Sequence, residues 1–185
     1  MTLRRSRLAR CAVALAAAGA AAAGCSAQPG TAATVDGTRI SENAVDDATR
    51  EWVEVSGQQV SASQVAHTLV QAELFEPIAR EHGFGYSDQQ VTQTLTDVAT
   101  SQGRPAPGSL SPAVVDLARF VLQQGEIAQS PEADRILGQL GEATDQAEIE
   151  VNPRYGTRDA AGQIVPTSYD WIHRQPEETP APPGG

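Results

Sequence analysis

The chain has 185 residues, carries 23 Asp and Glu against 13 Arg, contains no Lys, and has a formal charge of −10. That balance excludes a nucleic-acid surface, because binding phosphate needs cationic side chains to displace counterions, and it argues against broad adhesion to anionic lipid. The missing lysine closes the phosphate-loop, Schiff-base and Ser-Lys chemistries.

Arg4, Arg5, Arg7 and Arg10 precede an uncharged apolar run from Cys11 to Ala23. At about 13 residues, this run is shorter than the roughly 20 that span a bilayer core, so it reads as the apolar region of a signal peptide. Ala22-Ala23-Gly24-Cys25 resembles the lipobox of bacterial lipoproteins, in which the cysteine becomes the first mature residue and its sulfur carries diacylglycerol. The lipobox usually has a larger aliphatic residue where Ala22 stands, and a cut at a nearby Ala-x-Ala site is the competing reading. Losing residues 1 to 24 would remove four arginines and take the charge from −10 to −14. With Cys25 acylated, the mature chain keeps no thiol for a disulfide, a nucleophile or zinc. Residues 25 to 32 are expected to form a tether.

Asp36-Gly37, between β-branched residues from Thr34 to Ile40, signals a hairpin. Ser41 stands as an N-cap before Ala44, Val45, Ala48, Trp52 and Val55, whose spacing predicts a helix to about Ser56. Ser61 or Ser63 opens a longer helix reaching Gly83, with Pro77 expected to kink it. Ser87 and Gln90 form a capping box for a third helix carrying Val91, Leu95, Val98 and Ala99. Residues 102 to 110 are a loop by composition.

Ser111-Pro112 starts a fourth helix in which only Asp116 and Arg119 interrupt the apolar residues from Val114 to Leu122, as expected of a central helix. A fifth helix begins at Pro131-Glu132 and carries Ala133, Ile136, Leu137 and Leu140, with Gly138 and Gly141 each weakening it by about 1 kcal/mol relative to Ala. Ile149 and Val151 alternate with acids as in a one-sided strand, a natural partner for the early hairpin. Beyond Gly156 periodicity is lost, and residues 160 to 185 read as an irregular segment with a disordered Pro-Glu-rich tail. The fold class is therefore mainly α, about five helices with a small β element made by the two ends of the domain.

Ala33-Thr-Val-Asp-Gly-Thr-Arg-Ile-Ser41, followed by several helices, resembles the N-terminal chaperone domain of SurA/PrsA-type extracytoplasmic foldases. Val151-Asn-Pro-Arg-Tyr-Gly156 is similar to the segment that closes this domain in actinobacterial relatives. The resemblance covers residues 33 to 159. It implies a domain that cradles non-native segments of exported polypeptides, without isomerase activity, since a parvulin domain needs roughly 90 further residues. Gly138-Gln-Leu-Gly141 imitates a parvulin element but lies in a helical pattern without the flanking strands or histidines.

His67, His82 and His173 lack a second ligand at metal-binding spacing, and no Gly-x-Ser-x-Gly elbow is present. Asp46-Asp47 and Glu73/Glu76 read as solvated edges in preference to acid–base pairs. No enzyme, metal or cofactor is expected. Apolar surface is the remaining route to function. Trp52, Phe75, Phe84, Tyr86 and Phe120 are candidates to line a client groove, each in competition with plain core packing, and Phe84-Gly85-Tyr86 stands out because it lies between helices. Asn152 to Gly156 reads as a strand end in preference to a recognition segment. The expected function is a lipoprotein holdase, held on the extracytoplasmic side of the cell membrane through Cys25, that binds unfolded or nascent exported polypeptides. The alternative is an adaptor that uses the same fold to bind one envelope protein.

Overall fold

Asp36 and Gly37 both take positive φ, 47° and 82°, the geometry a two-residue hairpin turn requires. They join β1 (Thr31–Val35) to β2 (Thr38–Ser41). The structure, a computed structural model, describes residues 29–159, 164–165 and 167. Cys25, His173 and the tail from 175 to 185 lie outside the described residues.

The other edge of β1 is taken by β3 (Ile149–Val151), giving an antiparallel sheet of order β2-β1-β3 with Ala33 opposite Val151 and Val35 opposite Ile149. The two ends of the domain close on each other, as the alternation at 149–151 predicts. Asp36 fixes the closure a second time: its backbone N–H donates to the Glu148 carbonyl at 2.9 Å, and its carboxylate accepts from the Glu148 N–H at 2.8 Å. Thr31 and Ala32, expected to belong to the tether, are buried strand residues, so the folded unit begins before residue 33.

Between the sheet's outer strands in sequence run α1 (Glu42–Ser56), α2 (Ala62–Glu81), α3 (Asp88–Ser101), α4 (Pro112–Ile127) and α5 (Ala133–Gln146). Serines open the first four. Ser41, Ser61, Ser87 and Ser111 each accept from the backbone N–H three residues on, satisfying a donor the helix cannot. Gln64 and Gln90 return the bond in full capping boxes. α5 lacks a side-chain cap. α2 runs through Pro77 to Glu81, and Pro77 removes the N–H that would reach the Glu73 carbonyl.

α4 occupies the centre because its apolar residues point in three directions. Val114 and Leu117 join the core beneath the sheet with Val45, Val65 and Tyr155. Val115 and Ala118 pack with Val91 and Leu95 of α3. Phe120 and Ile127 pack with Phe75 of α2 and Ile136 of α5.

Past Gly156 the chain is less irregular than its composition suggests. β4 (Thr157–Arg158) pairs with β5 (Ile164–Val165), and Ile164 packs onto the main core. The ordered unit thus reaches past the expected boundary at 159. Among the described residues, no helix is long and apolar enough to cross a membrane.

Candidate functional site

β2, the N-terminal turn of α1, the second half of α2, the start of α3 and one face of α4 from Pro112 to Gln123 surround an open cavity of about 900 Å³. Its apolar floor is supplied by Ile40, Ala44, Leu69, Ala72 and Ala113, and its walls are polar. Three helix N-termini face it, and in each the serine cap takes one first-turn donor, the N–H of Ala44, Gln90 or Val114.

Arg119 is the organising charge of one wall. Its side chain is only 10 % exposed and pairs with Asp116 on its own helix and with Asp88 at the start of α3. Its Nε also donates to the Tyr86 carbonyl at 3.0 Å. One turn on, Gln123, 1 % exposed, donates to the Phe84 carbonyl at 3.0 Å. On the opposite wall Arg80 donates through Nε to Glu76 at 2.9 Å. Arg39 donates to the Thr31 hydroxyl at 2.6 Å and to the Pro29 carbonyl at 3.2 Å, and has no carboxylate partner among the described residues. Glu73 also lines the cavity without an ion pair there. Most of this site's charges are pre-aligned, which suits recognition of a ligand with fixed polar groups.

The expected client-binding aromatics do not form one surface. Phe75 is fully buried and Phe120 is 4 % exposed. Their rings meet edge to face at 5.4 Å and 79°, the arrangement the ring quadrupoles favour. Neither lines the large cavity, because α2 and α4 turn them toward each other. Trp52 is half-buried between two core clusters. Phe84, half-buried, packs on the Phe75 cluster. Tyr86 alone of the five lines the large cavity. Its hydroxyl donates to Glu126 at 2.6 Å, and that bond to an anion, with some burial, raises its pKa above the usual tyrosine value.

The histidines do not converge. His67 is half-buried on α2, and burial lowers its pKa. His82 stands fifteen residues further along, about 22 Å at helical rise. It is enclosed by α5, with Nδ1 3.2 Å from Glu132 and Nε2 2.7 Å from Gln139. Among the described residues, no group of three or more His, Cys, Asp or Glu side chains could hold a metal ion. Of the carboxylates considered from sequence, Asp47 pairs with Arg50 at 2.8 Å, while Glu73 and Glu76 both face the cavity.

Sequence reasoning missed the Arg119 network. The available signal was a lone Arg three residues after an Asp on an otherwise apolar helix, read only as a polar interruption. No family model, curated protein or solved structure matches this chain.

Proposed function

We propose that this protein is an extracytoplasmic binding protein, tethered to the cell membrane through a lipid on Cys25, and that it acts as an adaptor for one envelope polypeptide seated in the 900 Å³ cavity. The observation that carries the adaptor reading is the distribution of apolar surface. Among the described residues, Val121 and Leu137 are the exposed large hydrophobics, and both lie away from the cavity.

A micromolar complex is worth about 8 kcal/mol. At about 25 cal/mol per Å², a holdase would need more than about 300 Å² of adaptable apolar contact before ordering costs. Two half-exposed aliphatic side chains fall well short of that. The cavity's aligned charges instead favour a partner of fixed shape and polarity. A general holdase of the SurA/PrsA type is the second reading, supported by the two short motifs and by their position at the joined ends of the domain. In neither reading does the protein carry out a chemical step.

Two measurements separate these readings. A soluble form starting at Ser26, mixed with a chemically unfolded, unrelated protein, should fail to suppress light scattering on dilution even at several-fold excess. A photo-crosslinker at Gln89, on the cavity wall, should trap one predominant envelope protein in intact cells. Stoichiometric suppression with a broad ladder of crosslinks would overturn the adaptor reading in favour of the holdase. Replacing Cys25 with Ser should release the protein from the membrane fraction, and retention would remove the lipid anchor from the account.

A further inference from the structure

α5 is held to the domain by little apolar surface: Ile136 is its one buried residue. Its neighbour Leu137 points outward, 52 % exposed, and faces Val121 of α4, 44 % exposed. Between them lies a cavity of about 420 Å³, floored by Phe75, Ile127 and the backbone at Gly125. This slot holds both exposed large hydrophobics found among the described residues, and it shares no lining residue with the larger cavity.

The surroundings of the slot are small and acidic. Nothing lies within 4 Å of where a Cβ would stand at Gly125, Gly138 or Gly141, so another backbone can approach closely. Asp134, Gly138, Gly141 and Asp145 recur at helical spacing on the outer face of α5, one step round from Leu137. Asp134, Glu142 and Asp145 are exposed and make no ion pair among the described residues. The one basic residue of α5, Arg135, is engaged by Glu132 at 2.7 Å. An apolar slot beside a helix face of exposed, unpaired carboxylates selects a ligand with an apolar stripe and flanking positive charges.

We infer that the α4–α5 face is a second docking surface, and that its occupant is a basic amphipathic helix of another protein. A large apolar side chain of that helix would enter between Val121 and Leu137, and its Lys or Arg residues would meet Asp134 and Asp145. A second copy of this chain is a poor occupant, because two-fold pairing would set the same carboxylates against each other and the one cation of α5, Arg135, is already paired with Glu132.

The test uses the full chain and three synthetic peptides of about five helical turns: a Leu/Lys amphipathic helix, a scrambled peptide of the same composition, and a Leu/Glu helix with the same apolar stripe. Fluorescence anisotropy should show binding of the Leu/Lys helix alone, weakened by salt. The double variant Val121→Ser, Leu137→Ser should lose about ten-fold or more in affinity, the loss expected for withdrawing two half-exposed aliphatic side chains from the contact. Asp134→Asn with Asp145→Asn should weaken binding and flatten its salt dependence. Both variants change exposed side chains, and unaltered circular dichroism melts would confirm that they fold. Equal binding of the scrambled peptide would mean general attraction to an acidic protein and would overturn the proposal. So would binding of the Leu/Glu helix, an unchanged affinity in the serine variant, or a dimer by sedimentation that the serine variant abolishes.

Discussion

Arg119 of α4 holds the backbone of Tyr86, its Nε donating to that carbonyl at 3.0 Å. Gln123, four residues on and on the same helix face, holds Phe84 in the same way. The linker between α2 and α3 is therefore fastened at two carbonyls to the central helix, and it positions the first turn of α3 on the cavity wall. Gln123→Leu leaves the Phe84 carbonyl without its donor and should destabilise the fold by about 1 to 3 kcal/mol, with faster amide exchange through Gly85 to Ser87. Asp88→Ala should cost under about 1 kcal/mol, because the side chain removed is 85 % exposed and Arg119 keeps Asp116 and the Tyr86 carbonyl as partners. Urea unfolding of both variants checks the order.

Phe75 and Phe120 test whether aromatic residues at this position serve packing or binding. Phe75→Ala empties a fully buried site that joins α2, α4 and α5 and should cost about 3 to 5 kcal/mol. Once the folded fraction is accounted for, the crosslinking yield from the large cavity should be unchanged, because Phe75 does not line it. A stability loss below 1 kcal/mol by urea titration, on the scale of a surface change, would remove Phe75 from the core.

Local signals in the sequence were readable where a residue's chemistry decides its own backbone. Asp36-Gly37 marked the hairpin and Ser87 with Gln90 marked a helix start, because turn and cap geometry depend on neighbours within four residues. The pairing of β3 with β1 was readable too, since alternation at 149–151 leaves one face in need of cover. β4 and β5 were not, because two-residue strands are too short to show a period. The aromatics were ambiguous for a different reason. A Phe on a helix that is apolar nearly all round has no sequence mark saying which side is covered, and packing against α2 decided Phe120. The large cavity was invisible because its walls come from four helices and a strand, and the Arg119 to Asp88 pair spans 31 positions.

Asn152 joins the closing strand to both the sheet and the first helix. Its side-chain amide donates to the Thr31 carbonyl at 3.1 Å and to Glu42 at 3.3 Å, while its Oδ1 accepts from the Arg154 N–H at 3.0 Å. Asn152→Ala should cost about 1 to 3 kcal/mol, the range for leaving partly buried groups without partners. Because the contacts join residues more than a hundred positions apart, the loss should appear at both ends of the domain. Limited proteolysis should nick near Gly30 and near Pro153 together, ahead of any cut within α4. Protection of either end in the variant would show that β3 pairing alone is enough for closure.

His67 gives the fold a pH dependence with a definite sign. Burial on α2 disfavours its imidazolium, so its folded pKa lies below the ordinary histidine value of about 6.5. In the unfolded chain the same residue takes up its proton nearer 6.5. As pH falls through that value the unfolded state binds more protons, and stability decreases. The loss stops growing once pH is below the folded pKa, where both states are protonated. Above about pH 7.5 the residue is neutral in both states and contributes no slope. His67→Gln removes the titration, so thermal melts from pH 7.5 to 5.5 should show the wild type losing more stability than the variant. The difference between the two curves isolates His67, the one position at which the two proteins differ. Parallel curves would mean that the imidazole is solvated in the folded protein, and a steeper loss in the variant would mean that it gains a partner when charged.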